Sequence, residues 1–149
     1  MIRKMYETKE DRKVEQAIIN ELSDAWKVFY QKLPIKYKVD FAILNDRKEI
    51  ISWAEVKRRE HKIGTYPTYM ISLDKYLSGM HLHKLTGLPF NLVVKFTDNL
   101  YHCEIHLLSY AQITISMGGR TDRSDEQDIE PCVFFDIDLF KKVIKKETE

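Results

Sequence analysis

Cysteine is nearly absent from this chain: Cys103 and Cys132 are the only two, far apart and without CxxC spacing. Neither a disulfide framework nor a cysteine zinc site is signalled. Five glycines and four prolines leave no repeat, low-complexity tract or linker that would split the sequence. No apolar run approaches the roughly 20 residues that cross a bilayer, and no segment reads as a signal-peptide core, so an intracellular protein without membrane contact is expected. Charge of one sign is missing as well. A net charge of +1 does not announce a nucleic-acid partner, so any basic surface must be local. What remains is 44% apolar and 32% charged, the balance of a soluble globular protein. One domain over residues 1–149, large enough to bury a core, is the expectation.

The most informative stretch is YKVDFAILNDRKEIISWAEVKRR, residues 37–59. Strand-like runs at 37–44 and 49–57 flank the turn-forming Asn45-Asp46-Arg47-Lys48. A hairpin centred between Arg47 and Lys48 sets Asp40 opposite Glu55, with Cβ atoms roughly 4.5–5.5 Å apart. Strand side chains alternate faces, so Lys57 projects from the same side as Glu55. Ile51 and Trp53 share the Glu55 face, and Ala42 and Leu44 share the Asp40 face. Val39, Phe41, Ile43, Ala54 and Val56 fill the opposite one. Acids and lysines alternating on a strand ordinarily mark a solvated sheet. Here both faces are mostly apolar, and carboxylates in such a place are costly unless paired or bound to metal. A divalent-cation site with a lysine beside it is the expectation.

Upstream, residues 8–33 read as a helix, with Thr8 and Asp11 resembling a capping box. Val14, Ile18, Ile19, Leu22, Ala25, Trp26, Phe29 and Leu33 fall in one arc, with Glu15 in its middle and Asp11 also pointing inward. Glu15 is either a partly exposed end of the stripe or a third carboxylate of the patch. Beyond Lys57, Arg58, Arg59 and Lys62 form a basic exit, read as phosphate contacts or as a solvated loop. A short strand at 69–71 precedes a helix at 73–86, capped by Ser72 and ended by Gly87 and Pro89. Leu73, Tyr76, Leu77, Met80 and Leu85 make its apolar side, and Lys75 and Tyr76 near its start could face the patch. Strands at 90–96 and 100–108 join at Thr97-Asp98-Asn99.

His102, Glu104 and His106 alternate along that last strand, either as ligands for zinc or another transition metal or as a solvent-facing edge. His81 and His83 on the helix point in different directions. Residues from about 110 to 130 read as a long loop, functional or flexible. In it, Arg120 and Arg123 either grip phosphates or pair with Asp122, Asp125, Glu126 and Asp128. A strand at 133–137 and a short basic helix at 138–146 close the chain. The element order predicts a mixed α/β sheet.

Asp40, a spacer, then Glu55-Val56-Lys57, after a helical Glu15, resembles the PD-(D/E)XK nuclease superfamily over residues 8–96. Val39 stands where the superfamily's name has proline, a residue often absent from its members. The resemblance implies a restriction-endonuclease-like α/β core, a mixed central sheet flanked by helices. It also implies cleavage of DNA phosphodiesters, with Asp40 and Glu55 holding Mg²⁺ or Mn²⁺ and Glu15 supporting the metal or its water. Lys57 would then orient the attacking water and stabilise the pentacoordinate phosphate. DNA contacts are expected from Arg58, Arg59, Lys62, Lys75, Arg120 and Arg123. The small build is similar to the Holliday-junction resolvase and phage recombination nuclease branches, which implies a homodimer or higher homo-oligomer. The alternatives are a module that keeps the fold and binds DNA without cutting, and an interaction protein whose acids are solvated.

Overall fold

The structure, a computed structural model, describes residues 9–119 and 129–147. Helix α1 (Lys9–Trp26) buries Ile18, Ile19 and Leu22. It stops seven residues short of the expected end. Lys27 turns left-handed (φ 55°), Val28 N–H returns to the Ser23 carbonyl, and the chain extends as strand β1 (Phe29–Lys32). Phe29 fits the helical period but is 59% exposed, because the aromatic pair Phe29-Tyr30 is used for strand pairing. Asp11, expected inward, is exposed, and Thr8 lies outside the described residues.

Strands β2 (Phe41–Leu44) and β3 (Ile50–Arg58) form the expected hairpin, with Phe41 opposite Ala54, Ala42 opposite Trp53 and Ile43 opposite Ser52. Continued one step, this register sets Asp40 opposite Glu55. A bulge between Ile43 and Leu44 separates that end from the turn. In the turn, Asn45 Oδ1 accepts from the amides of Arg47 and Glu49, and Lys48 takes φ 62°. The first run is shorter than expected. Residues Ile35–Tyr37 make a 3-10 turn and Lys38 is left-handed (φ 61°), so regular strand begins only at Phe41.

Strands β4 (Thr68–Ser72), β5 (Phe90–Lys95) and β6 (Leu100–Glu104) and helix α2 (Leu73–Thr86) follow. The Ser72 hydroxyl accepts from Lys75 N–H at the start of α2, and Gly87 (φ 72°) closes it. The central sheet runs β1-β2-β3-β5-β6-β9, where β9 is Lys141–Lys142; β3 and β5 are parallel and the other pairs antiparallel. A second sheet, β4-β8-β7, joins β4 to β7 (Ile113–Gly119) and β8 (Ile129–Asp136). Strand β7 thus occupies part of the segment expected to be loop. The expected terminal helix is absent: residues 137–139 form a 3-10 turn and β9 adds to β6, where Val143 N–H meets the Leu100 carbonyl.

Two apolar layers cover the central sheet, as its double-sided hydrophobicity requires. On one face α1 meets Phe41, Ile43, Ala54, Val56 and Val93. On the other, α2 and the second sheet, through Phe135 of β8, meet Trp53, Leu92 and Val94. Val39 belongs to this second cluster, against expectation, because the turn at Lys38 breaks the strand alternation before it. Leu77 and Leu85 of α2 are exposed; Gly79 takes their place in the interface, so close to Phe90 that an added Cβ would lie 2.1 Å from the ring. Among the described residues, no helix is long and apolar enough to cross a membrane.

Candidate active site

The β2–β3 ladder ends one step before Asp40. Instead of a backbone carbonyl, Asp40 Oδ2 accepts from Val56 N–H at 2.8 Å. Substituting a side chain for a ladder bond opens the sheet at this end and turns a buried carboxylate (Asp40, 7% exposed) into the gap. Glu55 stands beside it, 1% exposed, with Oε1 taking Lys75 Nζ at 3.0 Å and Oε2 buried without a hydrogen-bond partner. From the α1 side, Lys32 Nζ lies 3.1 Å from Glu15 Oε2 and 3.8 Å from Asp40 Oδ1. Groups from both faces of the sheet therefore converge around Asp40: three carboxylates and, with Lys57, three lysines.

Burial pushes the Glu55 carboxyl up to about 8, reinforced by Asp40 and opposed by Lys75 and Lys57. The ion pair with Lys75 does not cancel this, because desolvation and a second carboxylate outweigh one ammonium. For Lys75, burial would lower the pKa, but Glu55, Asp40 and Glu15 outweigh it and hold the ammonium above its ordinary value. Asp40 and Glu55 are both acceptors, so a cation or a shared proton is what can satisfy the pair. Hard oxygen donors with one buried oxygen unpaired suit Mg²⁺ or Mn²⁺, which need only one or two protein carboxylates and keep several waters. Among the described residues, no three His, Cys, Asp or Glu side chains form a ready-made metal cage. Lys32 stands between Glu15 and Asp40.

The basic residues divide. Lys75, expected to touch DNA, is ion-paired to Glu55. Arg59 lies over the Tyr69 ring, 5.0 Å from its centroid, on the Glu55 side of β3. Arg58 points to the other face, lining a groove of about 280 Å³ with Lys13, Glu21 and Lys95, and pairs with Glu60 at 2.6 Å. Lys62 is exposed in the following loop. Arg120 and Arg123, with Asp122, Asp125, Glu126 and Asp128, lie outside the described residues. The histidine triad does not form. His102 packs edge-on against Trp26, whereas His106 leaves the strand in a 3-10 turn to lie tilted against His83 and accept from Phe90 N–H.

Two residues of this region escape a reading of the sequence. Lys32 falls inside a stretch with helical period and carries no signal as a strand residue. Tyr69 is 5% exposed, its hydroxyl is buried without a hydrogen-bond partner, and burial pushes its pKa up to about 12, with Arg59 opposing and Glu55 adding to the shift. Its signal is only that of an aromatic in a short strand.

Comparison with solved structures finds the same fold in Hjc, a Holliday junction resolvase from the hyperthermophilic archaeon Archaeoglobus fulgidus. The TM-score is 0.55 at 15% identity, over 87% of this chain and 96% of that one. No curated protein sequence matches. A family model described as "Phage putative PDDEXK endonuclease" matches residues 1–143. The Asp40…Glu55-Val56-Lys57 signature thus sits in the fold that the resemblance implied, and the chain belongs to this phage PDDEXK endonuclease family.

Proposed function

We propose that the protein is a Mg²⁺- or Mn²⁺-dependent deoxyribonuclease that hydrolyses phosphodiester bonds, acting on branched or recombination intermediates. The carrying observation is the opened end of the β2–β3 ladder, where Asp40 and Glu55 share one gap and Lys57 follows on the Glu55 face. Asp40 and Glu55 would hold the metal and Glu15 its water. When bound, the ion would lower the pKa of a coordinated water and offset charge on the scissile phosphate.

The chain's own groups do the rest. Lys57 hydrogen-bonds the attacking water and, as charge builds on the phosphate, donates to a non-bridging oxygen. Glu15 accepts a proton of the water and fixes its direction. Arg59 and Lys62 extend the cationic surface beyond Lys57 and hold the flanking backbone, while Lys75 supplies a further cation beside the Glu55 carboxylate. Preference for branched DNA is suggested by the likeness to Hjc, a Holliday junction resolvase, and it carries the expectation of a homodimer presenting two centres to two strands.

The test is cleavage of labelled linear duplex, single strand and four-way junction with Mg²⁺, Mn²⁺ or chelator, alongside Glu55→Ala. Metal-dependent products that vanish in the variant are expected, with the junction preferred. DNA binding without product from any substrate would leave a binding module that keeps the fold.

A further inference from the structure

Lys32 belongs to no part of the D…ExK signature. It lies on β1, the edge strand of the central sheet, and its Nζ stands 5.1 Å from the Phe41 ring centroid. Its ammonium lies between two carboxylates of different elements, Glu15 of α1 and Asp40 at the end of β2, whose side chains are 19% and 9% exposed. That is the position of a bridging cation. An ammonium there competes with any divalent ion for the same oxygens. Its four-carbon stem, 34% exposed, leaves it a path off them.

We propose that Lys32 is a substrate-positioning residue: it neutralises Glu15 and Asp40 in the metal-free protein, and turns to the DNA backbone when a divalent ion and its water take those two carboxylates. This rests on the nuclease reading above. Once displaced, the ammonium sits beside a centre that has gained two positive charges, within reach of a phosphate delivered to that centre. Metal loading and backbone capture are thereby coupled through one side chain. A lysine serving only to tie α1 to the sheet would resist exchange and contribute nothing to DNA affinity.

The experiment titrates Mn²⁺ calorimetrically into the DNA-free full chain, comparing wild type with Lys32→Met, Lys32→Gln and Asp40→Asn. Removing the competing charge should tighten Mn²⁺ binding about 10-fold, the scale of one neighbouring like charge. Duplex and junction binding are then followed by anisotropy in a Lys57→Ala background. Adding Lys32→Gln should weaken DNA binding in Mn²⁺ and lower the salt slope by about one, with no such change in chelator. Mn²⁺ affinity unchanged or reduced in both Lys32 variants would overturn the proposal, as would an equal loss of DNA affinity with and without Mn²⁺. Should both variants unfold, Lys32→Arg decides: its fork grips carboxylates better, so it should weaken Mn²⁺ binding, and equal or tighter binding is the overturning result. If wild type and Asp40→Asn give the same heats, the metal reading of the centre falls and this proposal with it. If Asp40→Asn alone loses binding while the Lys32 variants match wild type, only the proposal falls.

Discussion

Glu55 is the residue whose surroundings leave it least choice. It is fully enclosed and set beside Asp40, so that, although Lys75 and Lys57 oppose the shift, its carboxyl is pushed far above the usual range, to about 8. A folded-state pKa raised above the ordinary 4.5 means that the native state binds the proton more tightly than the unfolded chain. The associated stability is complete below about 4.5 and is lost as pH rises toward 8. Metal-free protein should therefore lose stability over that window, by at most about 1.4 kcal/mol per pH unit. Glu55→Gln should flatten the dependence; urea denaturation in chelator between about pH 5 and 8 reads it, and parallel wild-type and variant curves would contradict it. Lys57 makes the complementary case. Lys57→Ala should cut single-turnover cleavage by about 10²–10⁴-fold, with melting temperature and DNA affinity near wild type. Cleavage at the wild-type rate would remove Lys57 from the chemistry. The grouping of Asp40, Glu55 and Lys57 is legible in the sequence, since a turn at Arg47-Lys48 and period-two alternation suffice to bring the three together. Lys32 is not, because Phe29 and Leu33 happen to fit a 100° period and hide a strand inside an apparent helix.

At the scale of elements, α2 sets where Lys75 meets Glu55, and Gly79 sets how closely α2 lies on β5. An alanine there would drive its methyl into the Phe90 ring. Gly79→Ala should cost about 1–3 kcal/mol by overpacking and shift α2 outward, loosening the Lys75–Glu55 contact. Adding Phe90→Leu should recover part of both stability and cleavage, and melting temperatures of the single and double variants test this. Helix α2 is readable to the residue from its punctuation, Ser72 before and Gly87 after. Its buried side is not, because a glycine carries no apolar signal while Leu77 and Leu85 carry one they do not use. The same lesson holds for β7. Ile113, Ile115 and Met117 alternate with Thr114 and Ser116, but the glycines that follow, 118 and 119, lend the segment the look of loop. The terminal lysines at 141 and 142 look like a basic helix, yet they complete an edge strand, a choice made by the open side of β6 and not by local propensity.

For the whole molecule, near-zero net charge concentrates the electrostatic argument in one place. Three carboxyl groups and three lysines meet at the opened sheet end, so a divalent ion, if it binds there as proposed, would stabilise the folded chain by mass action. The gain reaches about 2.7 kcal/mol when the ion is at about 100 times its dissociation constant. Melting temperature should rise with Mn²⁺ in wild type and stay fixed in Asp40→Asn, as scanning calorimetry would record; a rise of equal size in the variant would move the metal elsewhere. The opposite end of the same hairpin has a different consequence. The turn between Asn45 and Glu49 closes on itself through one asparagine side chain, and the bulge at Ile43/Leu44 lies between it and Asp40. Chain length there is decoupled from the carboxylate end. A short peptide tag spliced after Asp46 should be carried as a protruding finger, giving a handle for immobilisation or labelling that leaves the Asp40–Glu55 end of the hairpin in place.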